Sequence, residues 1–265
     1  MIKKTLTIAG SDSGGGAGIQ ADLKTFENIG VFGMSVITAV TAQNTLEVCG
    51  IHQLPAEFVA AQMDSVLTDI GTDTVKTGML GCPEVVECVA GRLKHYNISK
   101  VIVDPVIFAT SGNLLLEKEA LQTVRDKLLP CSFILTPNRY EAEVLTGIKI
   151  NCEDDVKKAA RILNEMGAPG VLIKGGHFGS NEAVDFFYDG KNLHKFISDR
   201  LDTKNTHGTG CTLSSAIAAY LCYDMDTLKA IEKAKNYVYQ KIKYATFLGI
   251  GRGCGPICLP ENNQE

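Results

Sequence analysis

Residues 205–215 read NTHGTGCTLSS, with two glycines around a threonine, then a cysteine, then a run typical of a helix. If the helix begins near Gly208, the amides of its first turn point outward, unbonded within the helix, at the positive end of its dipole. Such an end holds phosphates and other anions, and glycines let them approach the backbone closely. We therefore expect an anion cradle formed by Gly208, Thr209, Gly210 and Cys211.

Cys211, at the start of this helix, is open to several kinds of chemistry. His207 lies four residues before it, so the two could form a nucleophile pair or two ligands of a metal ion. A helix N-terminus also lowers the pKa of a thiol toward neutrality. We disfavour a metal here because Cys254 and Cys258 have no histidine nearby and no other ligand pair has metal-binding spacing. A glycine-rich helix start without a ligand stays open as an alternative.

A second glycine-rich stretch, residues 10–18 (GSDSGGGAG), lies between a predicted strand and a predicted helix. It lacks the Lys-Ser/Thr pair of a Walker A loop. It also lacks the G-x-G-x-x-G register and acidic ribose ligand of a dinucleotide-binding turn. The stretch is either a flexible turn or a loop whose missing side chains let a small substrate approach the backbone.

Charged residues stand at the ends of three predicted strands. Asp104 follows the run VIV, Glu141 follows Asn138 after FILTP, and Lys174 follows VLI. Because ligands of open α/β sheets bind at the carboxyl ends of the strands, these side chains are site candidates. Asp104 and Glu141 could share one Mg²⁺, and Lys174 could meet polyphosphate charge. The plainer alternatives are a turn, a helix cap and an exposed salt bridge.

Apolar, β-branched runs alternate with segments of helical period, which predicts a mainly parallel sheet with helices on both faces. The predicted strands are residues 5–9, 35–42, 72–78, 101–106, 133–137 and 170–175. The predicted helices between them are residues 19–29, 56–70, 83–95, 118–128 and 154–166. A hairpin of residues 183–188 and 193–198 follows, and then helices over 212–221 and 226–245. Nothing marks a linker, so we expect one domain over residues 1–265.

The composition excludes several classes of protein. A net charge of −4 gives no global reason to bind nucleic acid or an anionic membrane. No secretory signal and no long apolar run is visible, so we expect a soluble cytoplasmic protein. Nine cysteines at irregular spacings, without a C-x-x-C, indicate neither a disulfide framework nor a zinc ribbon.

Seven motifs run in order along the chain: AGSDSGGGAGIQAD, AQNT, KTGML, DPV, TPNRYEAE, LIKGGH and NTHGTGCTLS. Together they closely resemble the hydroxymethylpyrimidine/phosphomethylpyrimidine kinases of thiamine biosynthesis, within the ribokinase-like superfamily. The resemblance implies a three-layer αβα sandwich with a mainly parallel central sheet and a small lid region. It also implies ATP-dependent phosphorylation of a hydroxymethyl group and then of the monophosphate, with Mg²⁺, in a homodimer without nucleic-acid or membrane partners.

The resemblance also assigns roles to residues. Gln43 is expected to recognise the aminopyrimidine edge, since a primary amide can both donate and accept. Asp104 and Glu141 match the magnesium region. The ATP-side positions are Lys174 and Lys235, and the other positions of the substrate pocket are Gly10, Asp22, Met79 and the backbone near Val106.

The more widespread cradle of the superfamily reads G-A-G-D, and its aspartate takes the proton of the alcohol. Residues 208–211 read GTGC in the same place, as in the pyrimidine kinase branch. Phosphoryl transfer through a loose transition state depends mainly on positioning and charge neutralisation, so a strong base is not required. We expect that a Cys211 thiol of lowered pKa could still accept the proton late.

Three other functions are weighed against this one. A vitamin B6 kinase would share the fold, but some relatives trap pyridoxal with a lid cysteine, and the matching residue here is Ala109. A binding or regulatory protein without turnover would not need the set Asp104, Glu141, Lys174 and Cys211. A cysteine hydrolase would need an oriented base beside the thiol.

Overall fold

The computed structural model describes residues 2–108, 115–175 and 182–257. Ala109, the position compared with the aldehyde-trapping cysteine, lies outside these ranges. The strands are β1 Lys4–Asp12, β2 Phe32–Gln43, β3 Val48–Gln53, β4 Thr74–Thr77, β5 Val101–Val103, β6 Ile134–Leu135, β7 Gly170–Ile173, β8 Glu182–Tyr188 and β9 Leu193–Asp199.

The helices of the same ranges are α1 Gly18–Ile29, α2 Ala56–Asp69, α3 Pro83–His95, α4 Ala120–Thr123, α5 Arg139–Thr146, α6 Glu153–Glu165, α7 Thr209–Leu221 and α8 Thr227–Ala245. A π-helical turn, Val124–Leu128, and a 3₁₀ turn, Leu129–Cys131, continue α4. None of these helices is long and apolar enough to span a lipid bilayer.

Within the described ranges, the strands form one nine-stranded sheet in the order β3-β2-β1-β4-β5-β6-β7-β8-β9. The neighbours from β2 to β7 pair in parallel. The pairs at the two edges, β2 with β3 and β7 through β8 to β9, are antiparallel. The mainly parallel sheet expected from the sequence is confirmed, and the carboxyl ends of the central strands meet at one edge.

Helices cover both faces of this sheet. One hydrophobic cluster packs α2 to α6 against the sheet, with Met63 and Leu93 fully or almost fully buried. The other packs α1, α7 and α8 against the opposite face, with Phe26 and Ile217 fully buried. In β5, Val101 and Val103 belong to the first cluster and Ile102 to the second, as the alternation of a strand requires. The three αβα layers are therefore confirmed.

Two elements lie outside those predicted from the sequence. β3 reads VCGIHQ, is mostly exposed and has no regular alternation of apolar residues, so its pairing with β2 leaves no pattern to detect. α5 is only eight residues long, yet it is well defined by its ends. Asn138 and Glu141 form a capping box at its start, and Gly147 ends it in the left-handed region at φ 76°.

Candidate active site

A cavity of about 940 Å³ opens at the carboxyl ends of the parallel strands. Every side chain or backbone position singled out from the sequence borders it, with the exception of Asp22. The positions on its wall are Gly10, Gln43, Met79, Asp104, Val106, Glu141, Lys174, Gly208, Thr209, Gly210, Cys211 and Lys235. The size suits a small aromatic substrate together with polyphosphate.

The start of α7 lies on the cavity wall, where the sequence predicts an anion cradle. Gly208 caps the helix in the left-handed region at φ 83°, and a Cβ there would collide with the Gly16 carbonyl oxygen. The Thr209 N–H donates to the carbonyl of Thr206, which precedes the helix, at 3.2 Å, so this amide is already occupied. A Cβ at Gly210 would come within 3.2 Å of Lys174 Nζ, so the glycine keeps the space between cradle and ammonium open.

Lys174 and Asp104 form an ion pair on the wall of the cavity. Lys174 Nζ donates to Asp104 Oδ1 at 2.8 Å, and Ser214 Oγ on α7 donates to Asp104 Oδ2 at 3.3 Å. Burial alone would lower the pKa of Lys174, but the attraction of Asp104 and Glu141 outweighs it and the pKa is raised. The ammonium therefore stays charged beside the cradle at any physiological pH.

Glu141 serves both as a helix cap and as a cavity acid. Its Oε2 accepts the Asn138 N–H at 2.8 Å and its Oε1 accepts the Ile107 N–H at 3.4 Å. Burial raises the pKa of Glu141 to about 7, against the opposing attraction of Lys174. Among the residues described, no group of three or more His, Cys, Asp or Glu side chains is arranged to hold a metal. A cation here would need oxygens from its ligand or from water.

The Cys211 thiol is not the activated group expected from its place at a helix start. Burial raises its pKa to about 12, and Asp22 and Asp104 add to the rise. The charge of Lys76 and a hydrogen bond to the Gly18 backbone act in the opposite direction and do not compensate. The predicted lowering of the thiol pKa is therefore wrong, because loss of hydration outweighs the charge of Lys76 and the hydrogen bond to the Gly18 backbone. The cysteines in the described ranges, including Cys211, are free thiols.

The first glycine loop is folded around one carboxylate, that of Asp12. Asp12 accepts the backbone N–H groups of Gly14 at 2.8 Å, Gly16 at 3.1 Å and Ala17 at 2.8 Å. His207 Nε2 lies 2.9 Å from Asp12 Oδ2. Burial acts to raise the pKa of Asp12, but these hydrogen bonds outweigh it and hold the pKa below its usual value. The loop is thus a built structure and not a flexible turn.

Gln43 ends β2 at the side of the cavity next to this loop. Thr41 Oγ1 donates to Gln43 Oε1 at 3.1 Å, and Gln43 Nε2 lies 3.5 Å from His207 Nε2. Across the cavity, Met79 packs near Gly10, where a Cβ would meet its Sδ and Cε at 3.4 Å. A flat ring bound here would therefore have the Gln43 amide at one edge, with the Met79 thioether and the Gly10 backbone nearby.

Asp22 lies behind the cavity wall. Its carboxylate is fully buried and is held by Lys76, Ser215 and Thr7. Of these, Lys76 reaches the cavity surface. Lys235, on the opposite side, donates to Asp185 Oδ2 at 2.7 Å, and the Gly175 N–H donates to Asp185 Oδ1 at 2.8 Å.

Three residues of this site were not identified from the sequence: Asp12, Lys76 and Asp185. His207 was considered only as a partner of Cys211, and its contact with Asp12 was not foreseen. His207 and Asp12 stand inside the two glycine motifs, which is the signal that could have marked them. Lys76 stands in the KTGML motif, whose lysine had no assigned role. Asp185 is the single carboxylate in the stretch AVDFFY of β8, whose other residues are apolar or aromatic.

Comparison with known proteins identifies relatives over nearly the whole chain. The phosphomethylpyrimidine kinase family model matches residues 12–258. A Bacillus subtilis hydroxymethylpyrimidine/phosphomethylpyrimidine kinase is 49% identical, over 96% of this chain and 94% of its own length. A thiamine biosynthesis bifunctional protein of Geobacter sulfurreducens is also 49% identical, over 95% of this chain, and the chain spans 51% of that protein's length.

The fold has close neighbours among solved structures. The pyridoxal kinase of Staphylococcus aureus in complex with AMP-PCP and pyridoxal superposes with a TM-score of 0.89 at 34% identity. The superposition covers 100% of this chain and 96% of that one. The ribokinase-like architecture implied by the sequence motifs is confirmed.

Proposed function

The chain belongs to the phosphomethylpyrimidine kinase family, and on that premise we propose how its residues share the work of the reaction. It is a phosphotransferase that phosphorylates 4-amino-5-hydroxymethyl-2-methylpyrimidine and then the monophosphate, with ATP as the donor. One observation carries the proposal: a single cavity holds a helix-start cradle, a charged Lys174 and the amide of Gln43. These are the parts needed to bring a phosphate chain to an aminopyrimidine.

The acceptor half of the cavity lies between Gln43 and Cys211. The Gln43 amide can accept from the exocyclic amine and donate to the neighbouring ring nitrogen of the pyrimidine. Gly10, Met79 and the backbone near Val106 border the same region and would contact the ring. The hydroxymethyl group then points toward α7, where the N–H groups at the start of the helix meet the transferred phosphoryl group.

The donor half lies between Lys174 and Lys235. Both ammonium groups are only slightly exposed and each is held by an aspartate, Asp104 and Asp185 respectively. Lys174 is 3.2 Å from the position of a Cβ on Gly210, so it can neutralise charge on the same phosphoryl group that the cradle holds. Lys235, farther along α8, is proposed to contact the remainder of the nucleotide.

Mg²⁺ fits the acidic residues of this cavity. Asp104 and Glu141 are buried and border it, and the raised pKa of Glu141 indicates a carboxyl that a nearby cation would keep ionised. We assign these two residues to the ion, with phosphate oxygens and water completing its shell. When bound, the ion would neutralise part of the charge of the phosphate chain.

The Cys211 thiol is not assigned the role of base. With a pKa of about 12 it is protonated at neutral pH and cannot take a proton from the attacking hydroxyl. The loose transition state of phosphoryl transfer lets the hydroxyl keep its proton until late in the step. Of the two parts of Cys211 that could act, we assign the work to the backbone N–H.

The proposed biological unit is a single-domain kinase that forms a homodimer. The β2–β3 ribbon, residues 32–53, ends the sheet with an open strand and exposes Val40, Leu46 and Ile51 to about half of their surface. An open edge with apolar side chains favours pairing with a second copy. Light scattering of the wild type and of I51K would test this, with a dimer expected only for the wild type.

The free thiols in the described ranges agree with a reducing compartment, the cytoplasm.

The function is tested by ADP release with Mg-ATP and each of the two pyrimidines. Both substrates should release ADP in proportion to the phosphorylated product formed. Calorimetric binding of the monophosphate with no ADP release would instead support a binding protein without turnover.

A further inference from the structure

Lys76, the lysine of the KTGML motif, has a charged side chain in the interior of the protein. It stands on β4 and is 0% exposed, as is the carboxylate of Asp22 that faces it. Its Nζ donates to Asp22 Oδ1 at 2.9 Å and Oδ2 at 2.8 Å. Buried ion pairs add little net stability compared with apolar side chains of the same volume. The pair therefore calls for a role other than holding the fold together.

Asp22 is itself fixed from two further directions. Ser215 Oγ donates to its Oδ1 and Thr7 Oγ1 donates to its Oδ2, both at 2.6 Å. Burial acts to lower the pKa of Lys76, but the attraction of Asp22, with smaller contributions from Cys211 and Asp104, raises it well above its usual value. Lys76 is thus a permanently charged group with no freedom to move.

The pair lies directly under the start of α7. Ser215 follows Cys211 by four residues, so the two stand on the same face of the helix, one turn apart. Lys76 and Cys211 both border the cavity, whereas Asp22 lies behind them. Lys76 and Cys211 therefore belong to the cavity wall, and Asp22 lies one layer behind it.

We propose that the fixed charge of Lys76 stabilises negative charge on the substrate oxygen beside Cys211 during phosphoryl transfer, and that Asp22 is the residue that positions Lys76. The inference rests on the proposed function, which places the reacting hydroxyl next to Cys211. A preorganised charge in a dry site costs no reorganisation when charge develops on the oxygen. Asp22 keeps the lysine in place and, one layer farther away, weakens its effect only in part.

The Cys211 thiol can report this charge without any turnover. Its alkylation by neutral iodoacetamide at pH 8.5 depends on the fraction of thiolate, which follows the local charge. A shift of one unit in the pKa of the Cys211 thiol changes the alkylation rate about threefold. The fraction of thiolate changes tenfold, but a thiolate of lower pKa is also less nucleophilic, which offsets part of that change. Mass spectrometry of the Cys211 peptide measures the rate, and the exposed Cys49 in the same digest is the internal reference.

The two ways of breaking the pair give opposite results if the charge acts as proposed. In Lys76→Met, iodoacetamide should alkylate Cys211 at least threefold more slowly than in the wild type. In Asp22→Asn, it should alkylate Cys211 at least threefold faster. A pair that only holds the fold would loosen the same wall in either variant and change both rates in the same direction. Rates that move together would therefore overturn the proposal.

Kinase kinetics give a second measurement on the same proteins. Lys76→Met should lower kcat for the pyrimidine at least tenfold while its KM stays within about twofold, and Lys76→Arg should recover most of kcat. A change in KM alone would contradict the role. If Lys76→Met does not fold, the double variant Lys76→Met/Asp22→Asn leaves no lone buried charge. Cys211 of the double variant should still be alkylated more slowly than Cys211 of the wild type. A faster alkylation rate would overturn the proposal.

Failure of the proposed function would be seen separately. A wild type that releases no ADP with either pyrimidine would disprove the kinase assignment while leaving the alkylation rates interpretable. Opposite rate changes combined with an unchanged kcat in Lys76→Met would show that the charge is present but does not serve the reaction.

Discussion

His207 Nε2 lies 2.9 Å from Asp12 Oδ2, and this contact joins the two glycine-rich motifs at one corner of the cavity. The His207 ring also fills the space next to Gly16, where a Cβ would collide with it and with Pro256. Gln43 Nε2 lies 3.5 Å from the same ring nitrogen. Because Nε2–H donates to the Asp12 carboxylate, the same nitrogen cannot also accept from the Gln43 amide. The histidine therefore holds the loop, and its ring lies beside Gln43, although it was first considered as a partner of Cys211.

His207→Ala should raise KM for the pyrimidine roughly tenfold, because a hydrogen bond to a charged group contributes about 1.5–3 kcal/mol. kcat should change less, since the cradle and Lys174 stay in place. The matched control is His194→Ala, which breaks another histidine–aspartate contact of 2.9 Å, with Asp189, away from the cavity. Steady-state kinetics on the three proteins measure the effect, and equal KM values would contradict it.

Asp12→Asn should destabilise the protein in a pH-dependent way. The pKa of Asp12 is lower in the folded state than its usual 3.8, so its contribution is present above about pH 4 and is lost as the pH falls through the folded pKa. We expect the variant to lose about 2 kcal/mol of unfolding free energy at pH 7. Urea titrations at pH 7 and pH 3 should show the difference shrinking at the lower pH. A difference that grows on acidification would show that the sign is wrong.

Cys211→Ala should retain kcat within about tenfold of the wild type. The thiol has a pKa of about 12 and is protonated at neutral pH. The backbone N–H, which we propose contacts the phosphoryl group, is unchanged by the substitution. Single-turnover rates with Mg-ATP and the pyrimidine monophosphate measure the chemical step. A loss of about a thousandfold would show that the thiol does take the proton.

Glu141→Gln should raise the Mg²⁺ concentration needed for half-maximal activity at least tenfold. The substitution keeps the size of the side chain but removes the charge that we assign to the ion. Glu143→Gln, on the same helix, is the control, because Glu143 binds Lys149 at 2.9 Å away from the cavity wall. Activity is measured over a magnesium titration at fixed ATP. Matching curves for the two variants would remove Glu141 from the metal site.

Most residues of the cavity wall could be predicted from the sequence because its charged side chains directly follow predicted strands. Asp104 and Lys174 each follow a short buried run, and parallel strands bring such positions to one edge regardless of their separation along the chain. The cradle was equally visible, since a glycine pair before a helical run is a local pattern.

The missing parts depend on contacts between distant residues. Asp12 meets His207 across 195 positions, and Lys76 meets Asp22 across 54. Local motifs can mark single residues, but they do not show which distant residue each one contacts. The Cys211 pKa was predicted in the wrong direction because a helix start can be read from sequence, whereas the burial that dominates the thiol cannot. The capping role of Glu141 was recognised as possible, but its burial was not.

The central claim, that Gln43 selects an aminopyrimidine in a kinase site, is tested most directly by kcat/KM for hydroxymethylpyrimidine and for pyridoxal. We predict that the wild type prefers hydroxymethylpyrimidine at least a hundredfold, and that Gln43→Ala loses at least tenfold of this preference. Gln62→Ala, which removes an amide bound to the Ile37 backbone at 2.9 Å, should keep it. A wild type that prefers pyridoxal, or a preference unchanged in Gln43→Ala, would contradict the account.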